Sequence, residues 1–124
     1  MQTMQQQRAR YALQQVRSAK DLLHIDKDEY RRYAAGLPAM IHMNGLGQAV
    51  AFYKSKGGTH LPLYDLLAGW LTRPGQPYHH AADLMEAICD GDMHQYRIAQ
   101  AEAQALMSWV VKFAKAYMIT EPRP

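Results

Sequence analysis

Signatures of catalysis and redox chemistry are scarce in this sequence of 124 residues. It contains one cysteine, Cys89, which has no partner for an internal disulfide, so nothing indicates an oxidising compartment. Glycine-rich phosphate loops, Walker motifs and the H-E-x-x-H zinc motif are all missing. We therefore expect no catalytic residue, no cofactor and no bound metal.

Long apolar runs are missing as well. No segment approaches the roughly 20 apolar residues of a membrane span, and the N-terminus lacks the apolar run of a signal peptide. The length is that of one domain, with residues 119–124 expected as a short tail. These features predict a single domain, 1–124, located in the cytoplasm and not in a membrane.

Charge is distributed unevenly along the chain. The formal net charge is +3, but residues 1–62 carry 9 Lys and Arg against 4 Asp and Glu, whereas residues 63–124 carry 5 against 7. A basic segment of this kind favours an anionic partner, although a solvated helix surface would look the same.

Apolar residues recur at helical spacing along most of the chain, and no segment of useful length alternates as a strand would. The sequence therefore predicts an all-α fold, a compact bundle of about six helices with a long C-terminal helix. The predicted helices span residues 3–23, 26–37 with a continuation over 38–43, 46–56, 62–71, 78–89 and 92–118.

Several helix ends carry specific signals. Asp26 with Glu29 and Asp92 with Gln95 have capping-box spacing, and Pro38 is expected to kink or end the second helix. The first helix should turn an apolar stripe inward as far as Leu23. On the last helix, steps of three and four predict a buried seam of Ala99, Ala103, Leu106, Val110 and Phe113.

A metal site is the strongest chemical alternative. His79, His80, Asp83, Cys89 and His94 lie within 16 residues, and His80 and Asp83 would share one face of the predicted fifth helix. A structural zinc site needs four ligands, however, and no tight motif supplies them. The simpler interpretation is a polar helix start followed by Cys89 in the core.

Basic residues give a clearer pattern. On the last helix, Arg97, Gln104, Ser108 and Lys115 fall on one line, with Gln100 and Lys112 beside it. Such a strip suits a phosphate backbone. The candidate RNA-binding residues are Arg8, Arg10, Arg17, Lys20, Lys54, Lys56, Arg97, Lys112 and Lys115.

The segment 37–52 holds more apolar residues than one short helix pair can bury. Some of them should remain exposed, and an exposed apolar patch usually marks an interface. Met40 and Met43 are three residues apart and can share one edge, so they are the predicted subunit-interface residues. The alternative is that the whole segment belongs to the core.

Three stretches together resemble the small subunit of the Cmr complex, the type III-B CRISPR RNA-guided effector. They are residues 6–13, residues 37–52 with the pattern Leu-Pro-x-Met-Ile-x-x-Asn-Gly-Leu-x-Gln-Ala, and residues 96–114. Two positions depart from the family: His42 and Val111 stand where many members look basic or polar.

The resemblance implies a helical, non-catalytic subunit in antiviral defence. Its partners would be the backbone and large subunits, copies of itself in a filament, and guide and target RNA in a basic channel. Two other classes stay open from the residues alone. One is a helical protein-interaction adaptor without a nucleic-acid role, and the other is a small metal-dependent enzyme.

Overall fold

The computed structural model describes residues 1–119. Within them the chain forms six α-helices and a 3-10 turn at Gly58–His60, and no strand. The helices are α1 (Met4–Lys20), α2 (Lys27–Asn44), α3 (Leu46–Lys56), α4 (Leu61–Leu71), α5 (Leu84–Asp90) and α6 (Met93–Tyr117). The all-α prediction with a long last helix is confirmed, and none of these helices is long and apolar enough to span a membrane.

Helix α6 is the element around which the others pack. It lies most extensively against α1 and α2, and it also meets α3 and α4. Ala99, Ala103, Leu106 and Val110 are fully buried on it, as the predicted seam requires. Phe113 is only half-buried, because its ring lies at the rim of the bundle, stacked 5.7 Å from the ring of Trp109.

Side-chain caps fix the starts of α1, α2 and α6. Thr3 and Gln6 form a capping box on α1, and Asp92 and Gln95 form the predicted one on α6. Asp26 caps α2 by accepting a hydrogen bond from the Glu29 amide. The second half of that predicted box is wrong, because the Glu29 carboxylate accepts instead from the hydroxyls of Tyr33 and Thr59.

Helix α1 ends earlier than predicted, at Lys20. Tight backbone turns follow, in which the Leu22 amide donates to the Ala19 carbonyl and the Ile25 amide to the Leu22 carbonyl. Leu23 is therefore fully exposed and not part of the inner stripe. The stripe itself is present in Ala12, Val16 and Ala19, which are buried.

Helix α2 runs through Pro38, so of the two outcomes expected there, a kink or an end, the end is wrong. Proline removes one backbone donor, but Leu37 and Ile41 are fully buried on either side of it. The side chain of Gln104 on α6 also donates to the Pro38 carbonyl at 2.9 Å. Packing against α6 therefore outweighs the local break.

The predicted fifth helix is wrong over its first half, because α5 begins only at Leu84. Residues 78–80 form turns instead, and residues 81–83 are irregular. The Tyr78 amide donates to the Leu71 carbonyl, and His80 has a φ of 71°, which a helix cannot contain. Asp83 caps α5.

The predicted tail falls mostly outside the described residues. Ile119 alone is described there, and it is exposed.

Candidate nucleic-acid interface

Arg8, a predicted RNA-binding residue, is engaged inside the protein. Its guanidinium makes two hydrogen bonds to the Glu102 carboxylate on α6, at 2.9 and 2.8 Å, and the Trp70 indole donates to the same carboxylate at 2.8 Å. Burial disfavours the charged carboxylate, but the bonds from Arg8 and Trp70 outweigh it and hold the pKa of Glu102 below its usual range. The hydrogen bond with Glu102 raises the pKa of Arg8, so its charge is offset within the fold.

The other basic residues of α1 face solvent. Arg10, Arg17 and Lys20 are exposed, and no ion pair within residues 1–119 engages them. The Arg17 guanidinium lies 5.4 Å from the centre of the Tyr117 ring at the end of α6. These cations therefore lie on the accessible surface beside the α1–α6 contact.

The predicted strip on α6 is interrupted. Arg97, Ser108, Lys112 and Lys115 are exposed, but the two glutamines between them turn toward α2 and α3. Gln104 binds the Pro38 carbonyl. The side-chain oxygen of Gln100 accepts from the Leu46 amide at 2.9 Å.

The strip therefore divides into Arg97 near the start of α6 and a lysine pair near its end. Arg97 shares a shallow groove of about 450 Å³ with His42 and Tyr96.

Lys54 and Lys56 end α3 and lie beside aromatic rings. The Lys54 ammonium is 3.9 Å from the Asp83 carboxylate and 5.0 Å from the centre of the Tyr64 ring. Lys56 lies 5.8 Å from the centre of the Phe52 ring. Burial lowers the pKa of His60, and the charge of Lys56 lowers it further. The imidazole therefore favours its neutral form, and the positive charge at this end of α3 comes from the two lysines.

Helix ends explain part of the basic pattern. Five of the nine predicted residues occupy the last turns of α1, α3 and α6, where a cation is stabilised by the helix dipole. These five are Arg17, Lys20, Lys54, Lys56 and Lys115. The exposed residues that no helix end accounts for are Arg10, Arg97 and Lys112, and they carry more information about a partner.

The predicted interface segment, residues 37–52, contains both buried and exposed apolar side chains, as its composition indicated. Leu37, Ile41, Leu46 and Val50 are buried, whereas Met43 is 79% exposed. Met40 is half-buried and, with Asn44, Gln48 and Phe52, lines a shallow depression at the junction of α2 and α3. Phe52 is 44% exposed. The surface formed by Met40, Met43 and Phe52 is called the junction surface below.

The residues considered for a metal are not gathered into a site. The rings of His79 and His80 lie 4.5 Å apart, but Asp83 is occupied as the cap of α5. Cys89 is exposed, so the expectation that it joins the core is wrong. Across residues 1–119, no group of three or more His, Cys, Asp or Glu side chains is arranged to hold an ion.

One cation that the sequence did not single out, Arg73, meets Arg10 across a cleft. Arg73 lies in the loop after α4, and its guanidinium covers the rings of Trp70 and Tyr11. A sequence gives no reason to prefer an arginine in a Pro-Gly loop over any other exposed arginine. Only the position of the loop against α1 makes it part of a site.

Comparison with known proteins agrees with this architecture. Residues 4–117 match the model of a family described as CRISPR-associated protein (Cas_Cmr5). The "CRISPR system Cmr subunit Cmr5" of Thermus thermophilus is 33% identical over 117 residues, covering 94% of this chain and 96% of the relative.

A solved structure is similar over the same extent. The X-ray crystal structure of a CRISPR-associated Cmr5 family protein from Thermus thermophilus superposes with a TM-score of 0.77 at 33% identity, and the match covers 94% of this chain and 97% of that one. The helical architecture and the sequence therefore lead to the same assignment. This chain belongs to the Cmr5 family, the small subunits of the type III-B CRISPR system.

Proposed function

We propose that this chain is a non-catalytic structural subunit of a Cmr effector complex. It packs against other Cmr subunits and copies of itself, and its exposed cations line a channel for guide and target RNA. Membership of the Cmr5 family supports the assembly role, since the Thermus relative is named as a Cmr subunit. The observation that carries the RNA role is the set of exposed, unpaired cations on α1 and α6.

The contact with RNA is electrostatic and independent of base sequence. Lys112 and Lys115 lie on the exposed side of α6 with Ser108, whose hydroxyl accepts a hydrogen bond from Lys112 at 3.4 Å. Ammonium groups without carboxylate partners release counterions when they meet phosphates, which favours binding at low salt. Such contacts position a strand and leave its sequence to base pairing.

A paired substitution tests this role in the assembled complex. Lys112→Gln with Lys115→Gln should weaken target-RNA capture and lower the slope of log affinity against log salt by about 0.7 per lost phosphate contact. The matched control, Lys27→Gln with Arg32→Gln, removes the same charge from α2. If the two double variants capture target RNA equally well, these lysines are only a solvated surface.

The junction surface supplies the contact with neighbouring subunits. It combines an exposed methionine, a half-buried methionine and a phenylalanine next to the corner between α2 and α3. Methionine side chains adapt to the shape of a partner, and an exposed apolar patch of this kind is typical of an interface.

Substitution of the exposed methionine separates assembly from folding. Met43→Glu places a charge where the side chain is already in solvent, so the isolated subunit should keep its melting temperature while its co-purification with the complex falls. Leu23→Glu is the matched control, because Leu23 is equally apolar and fully exposed elsewhere. A folded Met43→Glu subunit that assembles as well as Leu23→Glu would contradict the proposal.

The stronger variant adds Met40→Glu. Because Met40 is half-buried against the core, this double variant is informative only when circular dichroism and melting show that it remains folded.

A further inference from the structure

A cleft of about 310 Å³ lies between α1 and the loop of residues 72–77. Its lining includes Arg10, Gln14 and Tyr11 from α1, Trp70 from α4, and Arg73 and Gln76 from the loop. Among residues 1–119, no carboxylate lines it. A cleft with two guanidinium groups and no acidic side chain attracts an anion.

Arg73 is held in place without being neutralised. Its guanidinium lies 4.9 Å from the centre of the Trp70 ring and 5.4 Å from that of Tyr11. Tyr11 is anchored in turn, because its hydroxyl donates to the Leu66 carbonyl at 2.6 Å. No ion pair within residues 1–119 engages Arg73 or Arg10. A guanidinium stacked on rings keeps its N–H edge for phosphate and its outer face for a base.

Gln76 gives the cleft a second, independent feature. It is only 7% exposed, yet its side-chain amide makes no hydrogen bond within the described residues. The backbone of the loop around it is fixed by two hydrogen bonds. The backbone N–H of Gln76 donates to the Arg73 carbonyl, and that of Tyr78 donates to the Leu71 carbonyl. The Gln76 side-chain amide is not among the fully enclosed polar groups that lack a partner within residues 1–119, so it opens to the cleft, where its donors and acceptor are available to a ligand.

We propose that this cleft binds one nucleotide of a single-stranded RNA. Arg10 and Arg73 bind the phosphate, the base lies against the outer face of the Arg73 guanidinium, and the Gln76 amide pairs with the edge of the base. A volume of about 310 Å³ equals that of roughly ten waters at about 30 Å³ each, which is far more than a phosphate alone displaces. An amide both donates and accepts, as base edges require.

This inference rests on the proposed RNA role and makes it specific. The strip on α6 contacts phosphates alone, whereas the cleft holds a whole nucleotide. It adds Arg73 and Gln76 to the RNA-binding residues, and it assigns Arg10 a defined place among them.

Nuclear magnetic resonance on the full-length subunit tests the ligand class directly. The probes are uridine 5′-monophosphate, inorganic phosphate, uridine and a short oligouridylate, each titrated to about 10 mM nucleotide or phosphate, the range of weak single-site binding. The monophosphate should shift the Gln76 amide and Arg73 guanidinium signals more than either fragment does, and the oligouridylate should saturate them at lower concentration. Equal shifts with inorganic phosphate, saturation by the monophosphate but not by the oligouridylate, or no shift with any probe would overturn the proposal.

Substitutions test the named contacts. Arg73→Ala and Arg10→Ala should each weaken oligouridylate binding about tenfold, the effect of losing one charge-assisted contact. Arg32→Ala removes the same charge from a position outside the cleft and should change binding less than twofold. If all three variants bind alike, the cleft is not the site.

Gln76→Leu separates a ligand-binding amide from a structural one. Leucine has a similar volume and the amide makes no hydrogen bond within the protein, so the substitution should leave the melting temperature unchanged or higher while weakening oligouridylate binding about fivefold. A lower melting temperature with unchanged binding would show that the amide serves the fold and would overturn its assigned role.

The assembled complex distinguishes failure of this inference from failure of the proposed function. Target capture is compared for Arg10→Ala with Arg73→Ala and for Lys112→Gln with Lys115→Gln. Loss in both variants supports both claims. Loss only in the lysine variant rejects the cleft and leaves the RNA role standing, and loss in neither rejects both.

Discussion

Arg8 and Arg10 are two residues apart on α1, yet they meet opposite surroundings. Arg8 faces α6, where a carboxylate and an indole close a hydrogen-bonded network around it. Arg10 faces the loop of residues 72–77, where a second arginine and an unpaired amide leave the cleft open. The same residue type serves the fold on one side of α1 and remains available to a partner on the other.

This contrast shows why a count of basic residues overstates a binding surface. A formal charge of +1 in the sequence contributes little outside the protein when a partly buried carboxylate already pairs with it. Arg8 is such a case. The informative cations are the exposed ones without a carboxylate, and only the three-dimensional arrangement identifies them.

Disrupting the hydrogen-bonded network around Arg8, on what we call the closed side of α1, should have the largest effect on stability. The open side is the one that faces the cleft. Glu102→Ala leaves the Arg8 guanidinium and the Trp70 N–H without their acceptor, both in partly buried positions. We expect the free energy of unfolding to fall by about 3 kcal/mol, which is the range for a pair broken from one side. Urea denaturation of the purified subunit measures it.

The control replaces both charged partners. Arg8→Met with Glu102→Leu removes the pair without leaving an unpaired charge, so it should be clearly more stable than Glu102→Ala. If the double variant is the less stable of the two, the network contributes through packing and not through charge.

The two sides of α1 should also differ in their response to pH. On the closed side the folded state depresses the pKa of Glu102. The stability it contributes is therefore present at neutral pH and is lost as the pH falls through and below the usual range of a glutamate, about 4.3. In Glu102→Gln this component of acid destabilisation should be missing, as thermal melts at pH 7 and pH 3 would show.

On the open side the change comes at alkaline pH. Burial raises the pKa of Tyr11 to about 12, whereas an unfolded tyrosine titrates near 10. Between these values the unfolded chain loses its proton first, so stability falls as the pH rises. Tyr11→Phe should cost about 1 kcal/mol at pH 7, through the lost bond to Leu66. It should also show a smaller loss between pH 9 and pH 11, although Tyr53, whose pKa burial also raises to about 12, keeps part of it.

The smallest expected change in stability, that of Arg10→Ala, gives the most direct comparison of the two sides of α1. Arg10→Ala should change the free energy of unfolding by less than about 0.5 kcal/mol, as an exposed residue without an ion pair should, whereas Arg8→Ala should cost about 2 kcal/mol. Denaturant curves for the two variants give this difference. Equal costs would mean that the two sides of α1 are not distinct.

Local chemistry was enough to predict much of the fold. The bounds of α3 follow from Asn44-Gly45 and Gly57-Gly58, and the cap of α6 follows from Asp92 and Gln95. The seam on α6 was equally predictable, because a three-four repeat of apolar residues is typical of a helix with one buried face. Such features depend on neighbours along the chain.

Two of the failures have a different cause, which is contact between distant segments. Helix α2 passes through Pro38 because α6 packs along it, and residues 78–83 leave the helix because Tyr78 pairs with Leu71. A helical wheel placed Gln104 on a solvent-exposed strip. Such a wheel carries no information on which helices surround α6. The cleft could not be predicted from the sequence, since Arg10 and Arg73 come together only when the loop after α4 lies against α1.

The corner between α2 and α3 has a consequence for synthesis of the chain. Helix α3 has no side-chain cap of its own, and the first amides that need acceptors are bound by α6: Leu46 donates to Gln100, and Gly47 to the Tyr96 hydroxyl. These partners lie 54 and 49 residues further along the chain. Because a helix start without acceptors is unfavourable, α3 gains this stabilisation only once α6 has left the ribosome. We therefore expect the subunit to gain its native structure only after α6 has been synthesised.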